Sequence, residues 1–369
     1  MFDLVLRLSD VYRDGLLAAH YEHDENGNNG NRLAKERPAG LLSGAVDAQD
    51  RLLSYGTMSS TYQDNGALQS RTDTATGLTT LYSHDPLGNL RHVTLPDGTV
   101  IEYLVDGLGR RVGKKVNGAQ VRGWLYRDAL QPAAELDASG SVVARFIYGE
   151  RVNVPEVMIK GGITYRLVTD HAGSVRLVVD AATGTVAQRI DYDEFGRVLL
   201  DTSPGFQPFG FAGGLYDPDT GLVRFGARDY DPETGRWTAK DPLLFEGFEG
   251  GDTNLYAYAL GDPVNRVDPT GKSVALWEWA VGVGVAVEAP ALAATGLVGL
   301  CILMALTLED DMANDPEAEG NQERCRKVKE ECIDRCVKRR MPSGSWDGMP
   351  YHVCMRKCLE RHNCWGVNY

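Results

Sequence analysis

At 369 residues, with 43% hydrophobic and 24% charged residues, the chain is long enough for two or three domains and a sizeable core. Its formal net charge of -13 excludes nucleic-acid binding by bulk electrostatics. The sign reverses locally: residues 321–369 hold 11 Lys or Arg against 6 Asp or Glu, which suits an acidic partner or anionic lipid, or simply a solvated helix surface.

The N-terminal "MFDLVLRLSDVYRDG" has an apolar patch but no basic region leading into a continuous apolar core, so no cleaved signal peptide is predicted. From Tyr21 a loosely repeated unit begins: "YEHDENGN", then "YQDNGALQSRTD" at Tyr62, "YSHDPLGNLRHVTLPDGT" at Tyr82 and "YLVDGLGRRVGKKVNG" at Tyr103. Tyr126, Tyr148, Tyr165 and Tyr192 continue the series less regularly. Each unit joins an alternating segment such as "TVIEYLV" to an Asn-Gly, Asp-Gly or Leu-Gly turn, which predicts a β-hairpin. A single hairpin is marginal in water, whereas hairpins stacked in one long sheet cover each other's edges.

These phrases resemble tyrosine-aspartate (YD) repeats. The segments "TDHAGSVRLVVDAATGTVAQRIDYDEFGRVL" and "FGFAGGLYDPDTGLVRFGARDYDPETGRWTAKDP" resemble the core domain that closes the repeats in rearrangement-hotspot (Rhs) proteins. The resemblance runs from about Tyr21 to Gly271. It implies a mainly β fold, a spiral sheet winding into a hollow shell plugged by the core domain, which in this family encloses a variable C-terminal segment, commonly a toxin. The repeat array here is short for enclosing a cargo, which suits a fragment of a longer chain and predicts open strand edges prone to association. The expected domains are a hairpin array over 1–164, the Rhs core over 165–271, an apolar and acidic stretch over 272–320 and a Cys-rich hairpin over 321–369.

Within the core, "LYDPDTGLVRF" and "DYDPETGRWTA" are two copies of one turn unit, and Asp217, Asp231 and Asp262 read as turn residues. Two carboxylates brought close together do not both ionise cheaply. The charged one then activates water while the neutral one polarises a carbonyl, as peptide hydrolysis requires. Spacing alone brings no such pair together. Similarity to Rhs and toxin-complex proteins, which release their C-terminal segment by aspartate-dependent self-cleavage, implies Arg228, Asp241 and Asp268 as the cleaving group. It implies Lys272–Ser273 as the bond cut. The loop "FEGFEGGDTN" is a few residues longer than the family pattern, and Lys272 stands where that pattern has Leu. The competing reading makes Asp241 and Asp268 turn residues of a closed plug. His171, in "TDHAGS", marks the core without an evident catalytic partner.

Beyond the core, Ala289 to Leu308 carries no charged residue over about twenty positions, enough to cross a bilayer as a helix or to form a buried hairpin. Six of the seven cysteines follow: Cys325, Cys332, Cys336, Cys354, Cys358 and Cys364. Their spacing returns to one helix face on either side of "RRMPSGSWDGMPY", which predicts a small helical module, an antiparallel hairpin bridged Cys336–Cys354, Cys332–Cys358 and Cys325–Cys364 in an oxidising compartment. Zinc on Cys332, Cys336, Cys354 and Cys358, with His352 or His362, is the alternative. Structural zinc sites favour tighter Cys pairs, so no metal or cofactor is expected.

The resulting expectation is a secreted or membrane-associated bacterial Rhs-type toxin carrier. Its C-terminal module would be membrane-directed through Ala289 to Leu308, with an immunity protein and a secretion apparatus as partners and no nucleic acid on the shell. The alternatives are a non-enzymatic surface, adhesion or carbohydrate-binding repeat protein, or an inactive orphan fragment.

Overall fold

The computed structural model describes residues 1, 3, 7–24, 30–37, 40–242, 254–272, 275, 276 and 327. All but Lys327, a helical and exposed residue, fall in one compact unit, Met1–Val287. The apolar stretch Ala289 to Leu308, the cysteines of the predicted hairpin and Ser273 lie outside the described residues.

Nineteen strands, from Asp10–Arg13 to Val198–Asp201, form a single sheet in which each strand pairs antiparallel with the next. The local cause is the turn written into each repeat. Asp85 accepts the amides of Leu87 and Asn89, both at 3.0 Å, while Gly88 takes a positive φ that residues with a side chain rarely adopt. Asp106, Asp137 and Asp193 cap the amides two and four residues on in the same way. The register slips just ahead of these aspartates, at Ser83/His84, Leu104/Val105 and Asp191/Tyr192, and such bulges add right-handed twist to the ribbon.

The repeated tyrosines mark the inner face. Tyr21, Tyr82, Tyr103, Tyr165 and Tyr192 are buried, and their strand neighbours alternate outward: in Ile163–Thr169, Tyr165 and Leu167 are buried while Arg166 and Val168 are exposed. Tyr62, Tyr126 and Tyr148 reach across to the preceding strand and donate to the carbonyls of Leu52, Arg111 and Pro132 at 2.9 to 3.0 Å. The outer face keeps large apolar side chains in water, among them Leu81, Leu125, Ile147 and Val186. The sheet curls back far enough for its ends to meet: Lys35 pairs with Asp193 at 2.8 Å, and Arg32 lies over the Phe195 ring at 4.2 Å.

The expected core domain divides between two materials. Its first part, through Val198–Asp201, is itself strands of the large sheet. The rest folds as a separate four-stranded sheet, Leu215–Tyr216, Val223–Phe225, Arg228–Asp231 and Arg236–Trp237, around packed rings of Phe211, Phe225, Tyr230, Trp237 and Tyr258. This block rests on the inner face of the sheet, which the described residues therefore present as an occupied surface, not a bare cavity wall.

Buried ion pairs and polar contacts fasten the block at points spread along the sheet. Phe209 packs on Phe146, Asp217 takes Lys114 and Tyr103, and Arg224 takes Asn89. Asp231 then takes Arg71, and Arg236 takes Asn31 and the Asp50 carbonyl. At the centre, fully buried Asp229 lies between Arg111 at 2.7 Å and Arg224 at 2.8 Å. Burial opposes its charge, but the two guanidiniums hold its carboxyl below the usual range.

Candidate functional site

The strand Arg228–Asp231 begins at a tight turn that fits only because it contains Gly226. Gly226 has φ +38°, and a Cβ there would sit 2.3 Å from the Thr270 carbonyl oxygen. The facing turn, Asp268 to Gly271, is equally exacting: Gly271 has φ +65°, and its Cβ would lie 2.3 Å from the Phe225 carbonyl oxygen. The two backbones therefore touch, and the Ala227 amide donates to Thr270 O at 2.9 Å. That docking sets Arg228 directly against the "DPTG" turn.

The Arg228 guanidinium binds three groups. Its Nη2 donates to Asp241 Oδ2 at 2.8 Å and to Asp268 Oδ2 at 3.0 Å, and its Nε donates to the carbonyl of Gly271. The ring of Trp237 stacks below it, 4.1 Å from the guanidinium carbon. Burial draws the Arg228 guanidinium below its ordinary value, while Asp268 and Asp241 act the other way. Asp268 is 0% exposed, and its Oδ1 accepts from the Thr270 hydroxyl at 3.0 Å and the Lys272 amide at 3.1 Å. The Asp241 side chain is 23% exposed.

The structure thus brings together Arg228, Asp241, Asp268 and Lys272, separated by up to 44 positions in the numbering; Ser273 lies outside the described residues. A guanidinium nitrogen of Arg228 is shared between the two carboxylates. Asp217, Asp231 and Asp262 do cap turns, through the amides of Asp219, Glu233 and Asn265. His171 Nε2 contacts the Val264 carbonyl at 2.6 Å.

Four residues have roles that sequence reasoning does not reach. Thr270 was visible only as the third letter of a turn motif, and Trp237 only as an aromatic of a β segment. The second role of Asp217 and Asp231, as ion-pair partners of Lys114 and Arg71, has no local signal at all. Among the described residues, no group of three or more His, Cys, Asp or Glu is placed to hold a metal ion.

Known proteins place this architecture. The chain is 28% identical over 273 residues to Teneurin-3 of Danio rerio, covering 72% of this chain and 10% of that protein, and 30% identical over 259 residues to Teneurin-1 of Gallus gallus, covering 68% and 9%. It is 28% identical over 280 residues to the tRNA3(Ser)-specific nuclease WapA of Bacillus spizizenii, covering 74% and 11%. The solved TcdB2–TccC3 structure is similar at 20% identity with a TM-score of 0.45, covering 69% of this chain and 13% of that one. The chain spans about a tenth of the length of these curated relatives. The Teneurin YD-shell family matches residues 2–264, and with the tyrosine-lined hairpin sheet and its docked core block this shows that the chain belongs to that family, as a YD-repeat shell of the Rhs type.

Proposed function

We propose that this chain is the closing segment of an Rhs-type toxin carrier and that it cuts itself at Lys272–Ser273. The observation that carries the reading is the shared guanidinium of Arg228, which gathers Asp241, Asp268 and the Gly271 carbonyl immediately ahead of that bond. The likeness to WapA, a protein named as a nuclease, supports a carrier of toxic cargo in an extracellular or secreted setting. In this reading the released segment from Ser273 onward is the cargo. Its apolar stretch Ala289 to Leu308 directs it to a membrane, its cysteines pair in an oxidising space, and an immunity protein and a secretion apparatus are its partners.

The test is expression of the full chain followed by gel and intact-mass analysis. Wild type is expected to yield Met1–Lys272 and Ser273–Tyr369, while Asp241→Asn and Asp268→Asn stay whole. A wild-type chain that remains intact removes the self-cleavage reading and leaves a non-enzymatic surface protein or an inactive fragment.

A further inference from the structure

We infer that the cleft beside Arg111, Asp229 and Arg224 is a binding site for one small monovalent anion, with chloride the natural occupant. This does not depend on the self-cleavage reading above.

The cleft lies where the block meets the sheet. Arg110 and Arg111 line it from the sheet, and Arg224 and Pro269 line it from the block. Its volume of about 30 Å³ matches one water molecule's share of the liquid, roughly 30 Å³. A sulfate, a phosphate or an organic acid is larger than that, whereas a halide is close to water in size.

Three guanidiniums line the cleft and, among the described residues, no carboxylate does. Arg110 is engaged by Asp106, whose Oδ2 it meets through Nε at 2.8 Å. Arg111 and Arg224 share a single carboxylate, that of Asp229, at 2.7 and 2.8 Å. The Nε of each is a buried donor with no hydrogen-bond partner among the described residues. A buried donor left in that condition costs stability until an acceptor meets it.

The charges point to what that acceptor is. Arg111, Arg224 and Lys114 are buried cations, and Asp229 and Asp217 are the buried anions paired with them, so three against two leaves one positive charge. Asp219, the other partner of Lys114, has a side chain 51% exposed and keeps its hydration. The remaining neighbours are neutral: the Tyr103 ring stacks 3.6 Å from the Arg111 guanidinium carbon, and Asn89 Oδ1 and the Gly109 carbonyl accept from Arg224 Nη2. Burial draws the Arg224 guanidinium below its ordinary value; Asp229 opposes that shift and Arg111 adds to it. A buried charge without its counter-charge is costly. Water in the cleft would meet the free donors alone, whereas a halide meets the donors and the charge together.

Thermal unfolding of the full chain in sodium chloride, sodium bromide or sodium gluconate, at one pH and equal ionic strength, tests this. About 0.1 M halide is expected to raise the melting temperature by roughly 2–4 °C over gluconate, whose anion is too large to enter. Ala129 also lines the cleft, and Ala129→Leu, which fills it without touching a charge, is expected to melt alike in all three salts. Should that variant fail to fold, Arg224→Gln, which removes the excess charge, is expected to lose the halide response. Crystals grown in bromide are expected to show its anomalous signal in the cleft. Equal melting of the wild type in the three salts overturns the inference, as does water in place of bromide in those crystals. A halide response that survives Ala129→Leu overturns it too.

Discussion

The hydroxyl of Tyr103 donates to Asp217 at 2.6 Å across 114 positions of sequence, and Lys114 meets the other oxygen of that carboxylate at the same distance. One repeat tyrosine and one turn aspartate therefore join the sheet to the block laid on it. Burial, followed by the Asp217 charge, pushes the Tyr103 hydroxyl far above its ordinary value, so it remains a donor at any pH the protein meets. Tyr103→Phe leaves the carboxylate short of one buried donor and is expected to cost about 1–3 kcal/mol in urea unfolding.

Asp229 separates two guanidiniums that are otherwise left facing each other. Asp229→Asn removes the anion from a site where Arg111 and Arg224 are both buried, and the expected loss is about 3–5 kcal/mol. Thermal unfolding of the full chain reads it. A loss no greater than that of a surface Asp→Asn control would show that the triad holds nothing together.

Two partly buried histidines predict an acid-sensitive window. His23 is pushed down to about 4 by burial, then by Arg7, with Arg32 and His20 acting the same way against Asp3. His84 is pushed down to about 4 by burial, with Arg224 lowering it and Asp229 and Asp85 opposing. A histidine whose folded value lies below its unfolded 6.5 binds its proton more readily in the unfolded chain. Its contribution is complete above 6.5 and fades as pH falls toward 4. Urea midpoints are expected to drop across this interval, each histidine accounting for an amount on the order of 2 kcal/mol. The double variant His23→Gln, His84→Gln is expected to flatten the curve between pH 6.5 and about 4.

Gly271→Ala attacks the docking of the two turns. The substituted residue would occupy a left-handed conformation costing about 1–2 kcal/mol, and its methyl would press on the Phe225 carbonyl. The expected result is a lower melting temperature and, on the proposed function, slower chain cutting. Gly77→Ala is the control: it has a comparable φ of +72° but nothing within 4 Å of the added carbon. Equal effects from the two would reduce the Gly271 requirement to backbone strain.

What the sequence disclosed was local. The Asp and Gly of each repeat declare a turn because the aspartate bonds to amides two and four residues away, and the tyrosine spacing tracks an inward-facing position. The pairs that join sheet to block carry no such mark. Lys114 is an ordinary strand lysine until Asp217 arrives, and Asp231 completes a perfectly good turn with Thr234 before its other partner, Arg71, is considered. Arg228, Asp241 and Asp268 were named through resemblance, since nothing in their spacing joins them. The shared guanidinium, which changes how their chemistry reads, required three-dimensional placement.

The long reach of the contacts between block and sheet gives assembly an intrinsic length check. During synthesis the hairpins emerge first, and Asn31 waits until Arg236, over two hundred residues behind it, can reach back to it. Removing a single hairpin midway would offset every later partner at once, so the block behaves as a ruler laid against the completed array. A ribosome-bound chain stopped short of that residue should remain open to protease, and extension past it should close the particle in one concerted event.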